Sequence, residues 1–259
     1  MQIFREPRIT LLARQQFLGA PHIRWQSDTD VPAQALAEFA GRLCYLSFGA
    51  DAGLEGGHRL ISGRTSNTDY LANVLGVKHG SVIEHAVWTF LFEGVSRALT
   101  HELVRHRHLS FSQLSQRYVD ESEVAFVLPP EIHDGTPAYD VWYRACARAN
   151  EEYRELLALV EDQVKDEPSA TLRRKRARQT ARAVLPNATE TKIVVTGNAR
   201  AWRHFVEMRA SGHADTEIRR AAIQILRILQ GEAPALFGDF EILPREDGTE
   251  TASTTNPGV

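Results

Sequence analysis

From Thr136 to Val164 the chain repeats apolar residues at helical spacing. Trp142, Cys146, Ala149, Tyr153, Leu156, Val160 and Val164 follow one another in steps of three and four. That interval puts side chains on one face of an α-helix. Thr136-Pro137 opens the pattern, since a hydroxyl accepts a first-turn N–H and proline fits the first helical position. A stripe this long has to be covered, which makes the fold helix-rich. Pro168-Ser169 breaks the pattern and restarts it through ATLRRKRARQTARAVLP.

RITLLAR, AVWTFLFEG, EVAFVLPP and TKIVVTG read as strands; their β-branched and aromatic residues suit a pleated, buried surface. Asp30 and Pro32 start a helix whose apolar face is Leu36, Phe39, Ala40 and Leu43. Further helices are expected around Asp69–Val77 and from Ser96 to about Arg107. Another covers ARAWRHFVEMRA with Asn198 as its cap. The last covers TEIRRAAIQILRILQG and ends at its glycine. GADAGLEGGHRLISGR has no periodicity and reads as a glycine-rich loop. The expectation is one α+β domain over residues 1–245, with helices around a small β-sheet. Residues 246–259 read as a polar, disordered tail.

At 259 residues and 43% hydrophobic the chain has material for a sizeable core. A net charge of −3 excludes a uniformly basic nucleic-acid binder, so any positive site is a local concentration. The two cysteines, Cys44 and Cys146, lie far apart, which suits a reducing cytoplasm. Neither a signal peptide nor a membrane span is read.

One stretch resists a core reading. HELVRHRHLSFSQLSQRY, His101 to Tyr118, packs three histidines and three arginines into eighteen residues. His101 and His108 have the spacing to share a helix face, but Arg105 lies between them, and a divalent ion wants neutral imidazoles with carboxylates or thiolates. No metal is expected. Arg173 to Arg178 plus Arg182 put six cations in ten residues. Such runs are usually solvated helix faces, and no duplex-reading motif or interleaved aromatics accompany this one, so no nucleic acid is expected. A phosphorylated small molecule fits better. Arg105, Arg107, Arg117 and Arg182 offer planar forks, Ser110, Ser112 and Ser115 add hydroxyls, and Gln113 reads an amide edge. There is no GxGxxG after a strand and no P-loop, so a nucleotide would be held by another fold.

Arg105-His106-Arg107, seven residues, then Ser115 spell RHRx₇S, and RHRHLSFSQLSQRY resembles the signature of the flavin-dependent thymidylate synthases throughout. HGSVIEH, ARAVLPNATET and TGNARAWRHFVEMRASGHA resemble further blocks of that family in order, so the resemblance runs from about Ala40 to Phe240. It implies that family's fold, assembled as a homotetramer with shared active sites. It implies methylation of dUMP to dTMP with FAD, 5,10-methylenetetrahydrofolate as carbon donor and NADPH as reductant.

By motif position the resemblance assigns FAD contacts to Ser81, Arg105, His106, Arg107, Gln113, Asn198, Ala199, Arg200 and His204. Asn198 serves equally as a plain helix cap, and Glu84 reads as an ordinary helix-terminus group. To dUMP it assigns Glu102, Leu103, Val104, Arg105, Gln113, Leu114, Ser115, Gln116, Arg117, Arg182 and Arg209. Arg209 is the candidate for the chemistry, since a guanidinium on the uracil edge stabilises charge spread into the ring. Gln113 replaces a glutamate common in the family. Cys146 reads as core, Cys44 as a residue near flavin, and neither as a nucleophile. The competing reading is a non-enzymatic nucleotide- or RNA-binding protein using the same arginines.

Overall fold

The computed structural model describes residues 1–49, 52 and 66–259. Save for Gly49 and Ala52, the glycine-rich stretch lies outside them. In chain order the elements are β1 (Ile3–Phe4), β2 (Arg8–Arg14), α1 (Pro32–Cys44), α2 (Asn67–Gly76), α3 (Gly80–Ile83), β3 (Val87–Ser96), α4 (Arg97–Leu103) and β4 (Ser110–Gln113). There follow β5 (Phe126–Val127), α5 (Pro137–Gln163), α6 (Ala170–Ala181), β6 (Glu190–Asn198), α7 (Ala199–Arg209), α8 (Thr216–Glu232), α9 (Pro234–Phe237), β7 (Phe240–Pro244) and β8 (Glu250–Thr254). Helix and sheet are mixed, and a four-stranded sheet has the order β2-β3-β6-β4. No described helix is long and apolar enough to cross a membrane. Contacts divide the chain into two compact units.

The first unit comprises residues 1–8, 92–105 and 111–194. Its organising element is α5. The Thr136 hydroxyl accepts the Tyr139 N–H at 3.2 Å and Pro137 fills the first turn. The stripe is covered in two parts. Tyr153, Leu157 and Val160 pack with Ala177 and Ala181 of α6, and Cys146 packs with Val124 and Phe126. Only small residues on α6 let the two helices close over that stripe. Strand β4 went unread in the sequence because SFSQ is too polar to signal one. It is a strand by pairing: β4 neighbours β6, and just beyond it the Leu114 N–H donates to the Lys192 carbonyl at 2.9 Å.

The second unit comprises residues 9–91, 106–110 and 195–259. Its core is aromatic: the Trp88 ring meets Phe237 edge-on at 5.7 Å, and Trp202 meets Phe90 at 5.0 Å and Phe205 at 5.8 Å. Helix α8 buries Ile218, Ala222, Ile225, Leu226 and Leu229, the face read from the sequence. It does not end at Gly231 but runs to Glu232, whose carboxylate accepts two hydrogen bonds from Arg14. Pro234 sets the boundary, because the residue before a proline is pushed out of helical geometry and Ala233 has φ −152°. The tail also differs from expectation. Residues 250–254 form β8, paired antiparallel with β7 from Phe240↔Thr254 to Pro244↔Glu250. A polar composition hid it; backbone pairing and an anchor described below hold it.

Helix α4 is shorter than its sequence suggests. Ser96 caps it through the Leu99 N–H at 3.0 Å, yet it stops at Leu103, and Arg105, His106 and Arg107 lie beyond it. A turn follows, closed by the Leu109 N–H on the His106 carbonyl. The RHR triplet is thus loop, free to aim each side chain separately.

Candidate active site

In the second unit α7 carries the polar side chains. Asn198 caps it, its Oδ1 accepting the Ala201 N–H at 2.9 Å; such a cap is worth about 1 kcal/mol. In the last turn Arg209 donates its Nε–H to His106 Nε2 at 3.0 Å. Accepting at Nε2 requires a neutral imidazole. Burial first, then the Arg209 guanidinium, then His204, hold His106 down at about 4 from an ordinary 6.5. The ring is wedged edge-on between Phe205 at 5.1 Å and His204 at 5.8 Å. A fixed neutral acceptor therefore sets the direction of a guanidinium fork.

A cavity of about 320 Å³ opens at the start of α7. Its polar lining is Glu84, His108, Asn198, Arg200 and His204, and its apolar lining is Ala201, Gly258 and Val259. Arg200 donates to Glu84 at 2.7 Å. Gly80 passes under that guanidinium, where a Cβ would come within 2.8 Å of Nε. Glycine there leaves room for the arginine to lie across α3. Ser81, on the same short helix, is exposed and is not among the lining residues. Ala199 is buried, its N–H donated to the Ala86 carbonyl. Arg107 and His108 are exposed.

The first unit gathers a different set. Gln113 donates its Nε2 to Thr100 at 3.1 Å and to Thr191 at 3.3 Å. Thr100 in turn donates to the Arg97 carbonyl at 3.1 Å. The Arg97 side chain is half-buried; burial and then the charge of Arg182 lower its pKa, while Glu121 opposes. The charges of Arg97 and Arg182 oppose one another, and the Glu121 carboxyl offsets them. Glu121 is 6% exposed with Oε1 unpartnered, and burial pushes its carboxyl up to about 7.

Ser115 to Arg117 form a separate turn, with the Arg117 N–H on Ser115 Oγ at 3.4 Å. Arg117 Nε is buried without a partner. Arg178 of the basic helix ties this turn down, donating to the Tyr118 carbonyl at 2.6 Å and to Asp120 at 3.3 Å. Glu102 is half-buried, and Arg105 and Val104 are exposed. Leu103 is fully buried and Gln116 is 5% exposed. Leu114 is half-buried.

Sequence reasoning leaves five residues without a role at the site. Glu84 is the helix-terminus residue the sequence suggests, at the end of α3, and is in addition Arg200's partner. His108 was unassigned and lines the cavity. Arg97 precedes the His101–Tyr118 run and carries no motif signal of its own. Gly258 and Val259 gave no signal at all.

Comparison with known proteins gives the fold's relatives and the chain's family. In fold the chain is similar to the crystal structure of a UMP/dUMP methylase PolB from Streptomyces cacaoi bound with 5-Br dUMP, with a TM-score of 0.62 and 22% identity over 92% of this chain and 96% of that one. The family model described as thymidylate synthase complementing protein (Thy1) matches residues 28–235. Flavin-dependent thymidylate synthases of Mycobacterium avium and Mycobacterium tuberculosis are 50% identical over 247 residues, 95% of each chain. That of Mycolicibacterium vanbaalenii is 50% identical over 248 residues. The chain belongs to this family, the flavin-dependent thymidylate synthases.

Proposed function

We propose that this chain converts dUMP to dTMP, taking carbon from 5,10-methylenetetrahydrofolate and reducing equivalents from NADPH through FAD. The observation that carries the reading is the hydrogen bond at 3.0 Å between Arg209 and His106, the central residue of the RHR motif. Arg209 meets the N3–O4 edge of uracil and stabilises the negative charge that C5 needs to attack the methylene carbon. His106 holds the fork and, being neutral, sets no second positive charge against it.

No thiolate attack is needed, and none is prepared. Burial pushes the Cys146 thiol up to about 11. Cys44 is exposed at the end of α1 and donates to the Ala40 carbonyl at 3.4 Å. A nucleophilic thiol needs a base or a lowered pKa, and burial moves Cys146 the opposite way.

The donor set fits a flavin dinucleotide. Asn198, Arg200 and His204 line one cavity whose guanidinium and imidazole suit a diphosphate, and Ser81, Ala199, His106 and Arg107 join them by motif. Arg105 and Gln113 serve both ligands. When bound, the flavin supplies the hydride that completes the methyl group. For dUMP, Arg97 and Arg182 take the phosphate. Ser115 and Arg117 take the same group from their turn, with Glu102, Leu103, Val104, Leu114 and Gln116 shaping the rest. Leu103, being buried, offers only its backbone. The enzyme works as a cytoplasmic homotetramer with shared sites, which the family resemblance supports.

The test is spectroscopic. Purified protein mixed with FAD should keep a flavin absorbance band through gel filtration, and anaerobic NADPH reduction of that band should change rate when dUMP is added. Protein that emerges colourless would defeat the reading.

A further inference from the structure

We infer that residues 255–259 form a fixed wall of the cavity at the start of α7, and that the protein retains flavin partly through that wall. The inference rests on the flavin reading above. Five of the cavity's lining residues are polar or charged, while planar aromatic ligands are held mainly by apolar surface with a few polar groups. Gly258 and Val259 are two of its three apolar lining residues, and Ala201 is the third.

The segment is built rather than draped. The Asn256 N–H donates to Thr254 Oγ1 at 3.0 Å and its Nδ2 donates to Asp239 at 2.9 Å. Arg203 donates to the Asn256 carbonyl at 3.3 Å, and the Gly258 N–H donates to Glu207 at 3.0 Å. Arg203 and Glu207 are one turn apart on α7, the helix that also carries Asn198, Arg200 and His204. One element therefore holds both sides of the cavity in register. Gly258 has φ +72°, a conformation that only glycine adopts without strain. Val259 is 4% exposed, so its side chain belongs to the wall and not to solvent.

The experiment compares FAD dissociation constants, read by quenching of free flavin fluorescence, for the full chain, Val259→Asp, Glu207→Ala and a chain ending at Pro257. Hydrogen exchange of residues 255–259 is followed with and without FAD. All three variants should bind FAD at least tenfold more weakly, with melting temperatures of the flavin-free proteins close to that of the full chain. The amides of 255–259 should gain protection on flavin binding. If the full chain binds FAD and all three variants bind it within twofold or more tightly, the wall is refuted and the flavin reading stands. If the full chain binds no FAD, the flavin reading falls and this inference with it.

Discussion

Arg209 and His106 are joined by one hydrogen bond of 3.0 Å in which the arginine donates and the imidazole accepts. The bond exists only while His106 is neutral, and its depressed pKa of about 4 secures that across the physiological range. Arg209→Lys should therefore keep nucleotide binding but lose turnover, because lysine cannot be held at Nε and still present a fork. We expect kcat to fall about 10²-fold, the usual cost of one missing charge-stabilising donor, with a small change in the dUMP KM. Steady-state kinetics decide it; full activity would remove Arg209 from the chemistry.

The same pair fixes a pH signature. His106 titrates at about 4 in the folded chain against an ordinary 6.5. Its folded pKa is depressed, so the unfolded chain takes up the proton first and stability falls as pH drops from 6.5 towards 4. His106→Gln keeps an acceptor but removes the titration. Melting curves from pH 7 to 4 should show a shallower acid decline in that variant; parallel declines would contradict the assignment.

Glu121 predicts the opposite slope. Its carboxyl is raised from 4.5 to about 7 by burial. The stability it contributes is complete below pH 4.5 and is lost as pH rises through 7. Glu121→Gln should raise the melting temperature at pH 8 and leave it unchanged at pH 4.

Arg203 is 1% exposed and forks onto Asp239 at 2.6 and 2.7 Å. Removing one partner strands the other charge in the core, which costs about 3–5 kcal/mol. Asp239→Ala should lose that much in urea unfolding. Arg200 and Glu84, both about half exposed, should cost under about 1 kcal/mol when either is replaced. The two substitutions separate anchoring from surface pairing.

Much of this was legible in the sequence, and the misses share a cause. Thr136, Ser96 and Asn198 each announced a helix start, because a cap is a local device read within three residues. The α5 stripe and the α8 face were visible for the same reason. Helix ends were less so: α4 stops at Leu103 short of its apolar pattern, and α8 passes Gly231 to the point set by Pro234. β4 and β8 escaped because a polar strand exists only through its partner. At the site, RHRx₇S pointed to Arg105 through Ser115, but the geometry that makes His106 an acceptor for Arg209, about a hundred residues away, has no local trace.

The most direct test of the account is dTMP formation from dUMP by the Cys44→Ala/Cys146→Ala double variant, supplied with FAD, NADPH and 5,10-methylenetetrahydrofolate. The account predicts turnover within a few-fold of the parent protein and none when FAD is left out. Loss of turnover in the folded double variant, or turnover that ignores FAD, would contradict it.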